Sequence, residues 1–193
     1  MQAVVLASGS QYRAQLLTRL GIDFNVLSPD IDESALAGEP PAILSTRLAC
    51  EKAHAASRLI DQACLIIASD QVVSNGHVTL GKPGTPDRAR AQLASMSGQS
   101  VEFFTSLYIL ETSSGRHFTA LDTTRATLRM LDEQSIARYV EADNPLDCAG
   151  SFKVETLGIC LFESIESQDP TALIGLPLIK TCEGLRHFGL PLP

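Results

Sequence analysis

The 193-residue chain has no CxxC pair and no His or Cys spacing of the kind that holds a structural metal. Its five cysteines, Cys50, Cys64, Cys148, Cys160 and Cys182, are odd in number and scattered. That argues against a disulfide framework and for reduced thiols in a cytoplasmic setting. The densest apolar run, residues 63–68, is far too short to cross a bilayer. The first residues have no basic stretch ahead of Val4-Val5-Leu6 and read as a strand rather than a leader, so no membrane partner is expected. There is no basic surplus either: 15 Lys and Arg face 22 Asp and Glu, a formal charge of -7. A general attraction for nucleic acid is thereby excluded, and any phosphate ligand must be held by a few placed cations in one cleft. Low-complexity tracts, repeats and Pro- or Gly-rich linkers are absent, which leaves one domain or two closely joined lobes over residues 1–193.

What is there alternates between strand and helix patterns. Residues 4–7 form a short apolar strand that runs into Ser8-Gly9-Ser10, where Ser10 is an N-cap for a helix carrying Leu16, Leu17 and Leu20. A second strand at residues 24–27 leads to the acidic loop Asp30-Ile31-Asp32-Glu33. Pro40-Pro41 then opens a longer helix with an apolar or small stripe at Leu44, Leu48, Ala55 and Leu59. Lys52 falls on that stripe, and an inward lysine without a partner is costly. Residues 64–68 are a continuous buried strand expected to end at Ser69-Asp70-Gln71, followed by a small hairpin from Val72 through Asn75-Gly76 to His77 and Leu80. Thr85-Pro86 starts a helix, and residues 101–110 and 118–128 should pair as a long hairpin. Asp132 caps the next helix, residues 150–155 are a glycine-led loop or strand start, and residues 177–187 close with a helix. The fold class is α/β with a mixed sheet.

Three features could carry chemistry. The strand–Ser-Gly-Ser–helix turn places backbone N–H groups, two hydroxyls and a helix N-terminus together, with Arg13 able to reach back over them. Asp70, at the end of a buried strand, could activate water or hold a cation that does so. Lys52, Lys82 and Glu33 add the charges that phosphate chemistry needs. No GxxxxGK[ST] loop and no GxSxG elbow occur, so neither P-loop nor serine-hydrolase chemistry is expected.

Leu6-Ala7-Ser8-Gly9-Ser10-Gln11-Tyr12-Arg13, the loop through Asp32-Glu33, Lys52, Ser69-Asp70-Gln71 and Gly81-Lys82-Pro83 together resemble the Maf family of nucleotide pyrophosphatases. Cys148-Ala149-Gly150-Ser151-Phe152-Lys153 and Gly175-Leu176-Pro177-Leu178 extend the resemblance over nearly the whole chain. It implies a single two-lobed α/β domain, similar to inosine triphosphate pyrophosphatases, with the active-site cleft between the lobes. The implied activity cleaves a nucleoside triphosphate between its α and β phosphates and requires a divalent metal cation such as Mg, Mn or Co. By matching motif, Asp70 would accept the proton. Ser8, Ser10, Arg13, Glu33, Lys52 and Lys82 would surround the triphosphate and metal, with Glu33 and Asp70 the candidate metal ligands. Asp70-Gln71 and the segment ending in Glu155 are similar to the branch acting on 7-methyl-GTP, and they differ from the branch acting on dTTP and UTP. Glu155 suits a cationic base, Tyr12 could stack on it, and Gln71 would add hydrogen bonds. Hydrolysis of dTTP, UTP or another modified nucleotide, and a nucleotide-binding role in septum formation, remain as alternatives. The expected partner is the nucleotide, and a homodimer is an assembly the reading allows.

Overall fold

Side-chain alternation along one long strand organises the molecule. The computed structural model describes residues 2–76 and 78–193. Its central strand β3, Cys64–Ser74, sits in a seven-stranded sheet of order β2-β1-β3-β5-β6-β7, with a short β4 also paired to β3. The other strands are β1 (Ala3–Ala7), β2 (Asn25–Leu27), β4 (Thr79–Leu80), β5 (Ser100–Glu111), β6 (His117–Leu128) and β7 (Phe162–Glu166). β1 runs parallel to both β2 and β3, and the remaining pairings are antiparallel, so the sheet is mixed.

Because successive side chains point to opposite faces, β3 feeds two separate cores. Cys64, Ile66 and Ala68 pack with Ala49, Ala53 and Ala56 of α2 (Pro41–Ser57). Leu65 and Ile67 pack with Leu16 and Leu17 of α1 (Gln11–Thr18) and with Leu185 of α5 (Leu178–His187). Further along that second face, Val73 and Phe103 join Leu93 and Met96 of α3 (Pro86–Met96) and Ile136 and Val140 of α4 (Glu133–Asp143). Between these two apolar clusters the face turns polar, at Ser69, Gln71 and Thr105.

Two expectations need correction. β3 does not end at Asp70. β5 pairs with it continuously from Leu65↔Glu111 to Ser74↔Glu102, so the strand has no reason to stop. It is β1 that stops: its pairing reaches Leu6↔Ile67, and β4 begins only at Val73↔Leu80. Asp70 therefore lies in the gap these two neighbours leave on one edge of β3. The α2 stripe runs through Leu48, Ala49, Lys52, Ala53 and Ala56, whereas Leu59 lies beyond the helix and is 64% exposed. Small alanines let α2 lie close to the sheet, which the larger Leu59 could not do. Of the two readings of residues 150–155, the glycine-led loop holds: the backbone turns tightly at Ala149–Ser151, with Gly150 at φ 75°. The hairpin after β3 forms as expected, and His77 lies outside the described residues.

Candidate functional site

The gap beside β3 opens into a cavity of 570 Å³. Ala7 to Arg13, Glu33, Lys52, Gln71, Lys82, Glu155 and Gly175 all line it, so the structure brings together every site residue expected from sequence except Asp70, which stands behind Lys52.

The N-terminal wall is built by β1 handing over to α1. Ser10 caps α1, its Oγ accepting from Arg13 N at 3.4 Å. Ser8 Oγ accepts from Ser10 N at 3.2 Å and from Arg13 Nη1 at 3.2 Å. Between them Gly9 passes so close to Ser28 that a Cβ would stand 2.8 Å from Ser28 Oγ, so only glycine fits without a shift. Arg13 Nε donates to Gly175 O at 2.8 Å. Among the described residues its Nη2 has no protein acceptor, which leaves that end of the fork for a ligand. Burial weighs against the Arg13 charge, and Asp70 and Glu33 offset it.

The floor is an ion triad. Lys52 Nζ lies 2.6 Å from Asp70 Oδ1 and 2.6 Å from Glu33 Oε1. Asp70 and Lys52 are buried, at 6% and 8% exposure, whereas the Glu33 side chain reaches solvent. Burial pushes the Asp70 carboxyl above its ordinary range despite Lys52 and Arg13, the direction a general base requires. For Glu33, burial also pushes up, but Lys52, Lys82 and Arg13 together prevail and hold it below its ordinary range. Glu33 is presented by a loop that Arg47 pins to α2. Arg47 Nη2 donates to Ser34 O at 2.9 Å and Nε to Glu39 Oε1 at 2.7 Å. Asp32 accepts from Ser34 N at 2.9 Å and shapes the same turn without lining the cavity. Glu33 and Asp70 are hard-oxygen donors of the kind a divalent cation takes together with phosphate oxygens and water, but the Lys52 ammonium fills the position between them, so they fit a cation once Lys52 turns to the phosphates. Among the described residues no group of three or more His, Cys, Asp or Glu could hold a metal by itself.

The far end of the cleft is acidic. Asp147, Cys148 and Glu155 line it together with Tyr12. Burial, then Asp143, raises the Glu155 carboxyl, and Asp147 adds to this while Lys153 opposes it. Lys153 Nζ donates to Asp143 O and Asn144 O, each at 3.1 Å, at the C-terminus of α4, and lies 3.7 Å from Asp147 Oδ1, so it offsets part of the acidity at this end. Burial, then Cys148 and Asp147, raises the Tyr12 hydroxyl, so its ring is presented neutral. Gln71 lines the cleft with its amine already engaged. Its Nε2 donates to Ala172 O at 2.9 Å, Leu173 O at 3.1 Å and Thr105 Oγ1 at 3.0 Å. Two carbonyl acceptors fix which end is the amine, and only the Gln71 carbonyl oxygen remains for a base. Phe103, Phe152 and Leu173, which the sequence reading did not single out, supply apolar walls.

An α/β protein with a cationic cradle at a strand-to-helix turn and a buried carboxylate beside it belongs to the class that binds phosphorylated ligands at an open sheet edge. Residues 3–188 match the family described as Maf-like protein, and the chain belongs to the Maf family. It is 50% identical over 194 residues to the 7-methyl-GTP pyrophosphatase of Pseudomonas aeruginosa, with 100% of each chain covered. It is 48% identical over 193 residues to the protein of the same name from Xanthomonas axonopodis pv. citri, again with 100% of each covered. Among solved structures, the Ham1 protein of Staphylococcus aureus aligns with a TM-score of 0.51 at 13% identity, covering 94% of this chain and 98% of that one. That likeness is one of fold.

Proposed function

We propose that the chain is a cytoplasmic nucleoside triphosphate pyrophosphatase that hydrolyses 7-methyl-GTP to 7-methyl-GMP and pyrophosphate, working as one two-lobed domain. The observation that carries this reading is the buried Lys52–Asp70 pair, 2.6 Å apart, at the floor of a cleft with cations at one end and carboxylates at the other. The names borne by its full-length relatives support the same substrate. All five cysteines are free, and no described helix is long and apolar enough to cross a membrane.

In this mechanism Ser8, Ser10 and the free Nη2 of Arg13 hold the phosphate chain, joined by Lys82 from the opposite rim. The phosphates compete with Asp70 for Lys52, which releases the carboxylate to accept a proton from water. The water oxygen attacks the α-phosphorus, the bond from that phosphorus to the bridging oxygen breaks, and pyrophosphate leaves with the electron pair. A divalent cation, when bound by Glu33 and Asp70, would supply charge neutralisation on the phosphate oxygens. At the other end Glu155 and Asp147 face the positive charge of 7-methylguanine, Tyr12 offers its ring face, and the Gln71 carbonyl accepts from the base.

Turnover of 7-methyl-GTP, GTP, dTTP and UTP side by side tests the assignment. A clear preference for 7-methyl-GTP is expected, and equal or faster hydrolysis of the pyrimidine nucleotides would reject it.

A further inference from the structure

The polar strip on the sheet, between its two apolar clusters, is directed at a single segment, residues 167–175. Thr105 Oγ1 donates to Ala172 O at 3.0 Å, joining Gln71 there, and Ser69 Oγ donates to Gly175 O at 2.8 Å. On β6, beside Thr105, Asp122 Oδ2 accepts from Asp169 N at 3.2 Å. Asp169 is 2% exposed, and its carboxylate is used up by the chain around it. Oδ1 accepts from Thr171 N at 3.0 Å and from Thr171 Oγ1 at 2.6 Å, and Oδ2 accepts from Ile179 N, in the first turn of α5, at 2.6 Å. Thr171 Oγ1 in turn accepts from Leu178 N at 2.8 Å. One carboxylate thus ties the start of the segment to the helix that follows it.

The segment ends on Gly175, whose carbonyl is the acceptor for Arg13 Nε. Its φ of 116° is open to glycine almost alone, and a Cβ there would stand 3.3 Å from Arg13 Nε. With Nε held by Gly175 and Nη1 held by Ser8, the plane of the guanidinium is set and Nη2 is left over.

We infer that Asp169 is a positioning residue: by fixing the 169–175 turn it sets the Gly175 carbonyl, and through that carbonyl it aims Arg13 at the phosphate chain. This rests on the reading of Arg13 as a phosphate-binding group. It extends that reading to a carboxylate that touches neither substrate nor cleft. Displacement of a positioned group by about an ångström costs on the order of 100-fold in rate, so loss of the Asp169 anchor should be visible in catalysis.

Asp169→Asn replaces one acceptor oxygen with an amine facing the Ile179 N–H. It is expected to lower kcat/KM for 7-methyl-GTP by about 10- to 100-fold and to weaken binding of inorganic pyrophosphate, measured by calorimetry, by a similar factor. The decisive comparison is a cycle with Arg13→Ala. If Asp169 acts through Arg13, the double variant is no worse than Arg13→Ala alone in either measurement. Losses that multiply, or a folded Asp169→Asn protein with wild-type kcat/KM and pyrophosphate affinity, would overturn the inference. Should Asp169→Asn fail to fold, Thr171→Val, which removes the hydroxyl linking Asp169 to Leu178, enters the same cycle with the same expectation. If the wild-type protein released no pyrophosphate from nucleotides, the functional reading would fall. The pyrophosphate-binding cycle would still decide whether Asp169 and Arg13 are coupled.

Discussion

Replacing Lys52 with methionine removes the cation between two carboxylates while keeping most of the side chain's volume. Lys52 and Asp70 are both buried, so the variant leaves Asp70 charged in a site that water barely reaches. Breaking a buried pair from one side costs about 3–5 kcal/mol. The low end applies here, because Arg13 still supports Asp70 and because the Glu33 half of the triad is solvent-screened. With a urea m-value of about 2 kcal/mol/M, a loss of about 3 kcal/mol moves the unfolding midpoint down by about 1.5 M at neutral pH.

The pH dependence follows from the two carboxyls. Asp70 already titrates above its ordinary 3.8 in the folded protein, and without Lys52 it rises further. Its neutral form is favoured by folding, so the penalty for burying its charge disappears as pH falls through that raised value. Glu33 titrates below its ordinary 4.5, so the stability it draws from Lys52 in the wild type is lost on acidification. Both effects narrow the gap between wild type and variant toward acid. Urea unfolding followed from about pH 7.5 down to about pH 3.5 tests this, since the Glu33 contribution is lost only below its ordinary 4.5. A midpoint shift below about 0.5 M at neutral pH, or a gap that does not narrow, would show that Lys52 is only a snorkelling surface lysine.

Asp70→Asn should lower kcat by about 100- to 10,000-fold with a KM change of a few-fold at most; steady-state kinetics showing a wild-type rate would remove Asp70 from the mechanism. Glu155→Gln should lower the ratio of kcat/KM for 7-methyl-GTP over GTP by about tenfold, with little effect on the unfolding midpoint, since Glu155, though its carboxyl is partly enclosed by the cleft wall, reaches solvent. In the wild type the same ratio should fall as pH drops toward Glu155's carboxyl, which titrates above its ordinary 4.5. Treatment with a chelator should abolish hydrolysis, and added Mg, Mn or Co should restore it; full activity in chelator would refute the role given to Glu33 and Asp70 as ligands.

The elements were legible in the sequence wherever local chemistry decides. Ser10, Thr85 and Asp132 all cap the helices they were expected to cap, because a side-chain acceptor next to free N–H groups acts within one turn. The inward direction of Lys52 was readable from helical periodicity. Its two partners were not, since they come from a loop and a strand brought together only by the tertiary fold. The end of β3 was misplaced for the same reason: a strand stops where its neighbour stops, and β5 lies about 35 residues downstream. That the Gln71 amine is already spent, leaving only its carbonyl oxygen toward the cleft, was not legible, because it depends on carbonyls near residue 172. A signal for Asp122 was present, since it occupies an inward position on β6 between Ala120 and Ala126, where alternation calls for an apolar side chain. Asp169 gave no such sign, as it lies outside any periodic element.

The central claim is that water attacks the α-phosphorus of the nucleotide in this cleft. Hydrolysis of 7-methyl-GTP in water enriched in the heavy oxygen isotope, with both products analysed by mass, tests it most directly. The account predicts pyrophosphate as the released phosphorus product, with the heavy oxygen in 7-methyl-GMP. Release of orthophosphate, or heavy oxygen in the pyrophosphate, would contradict it.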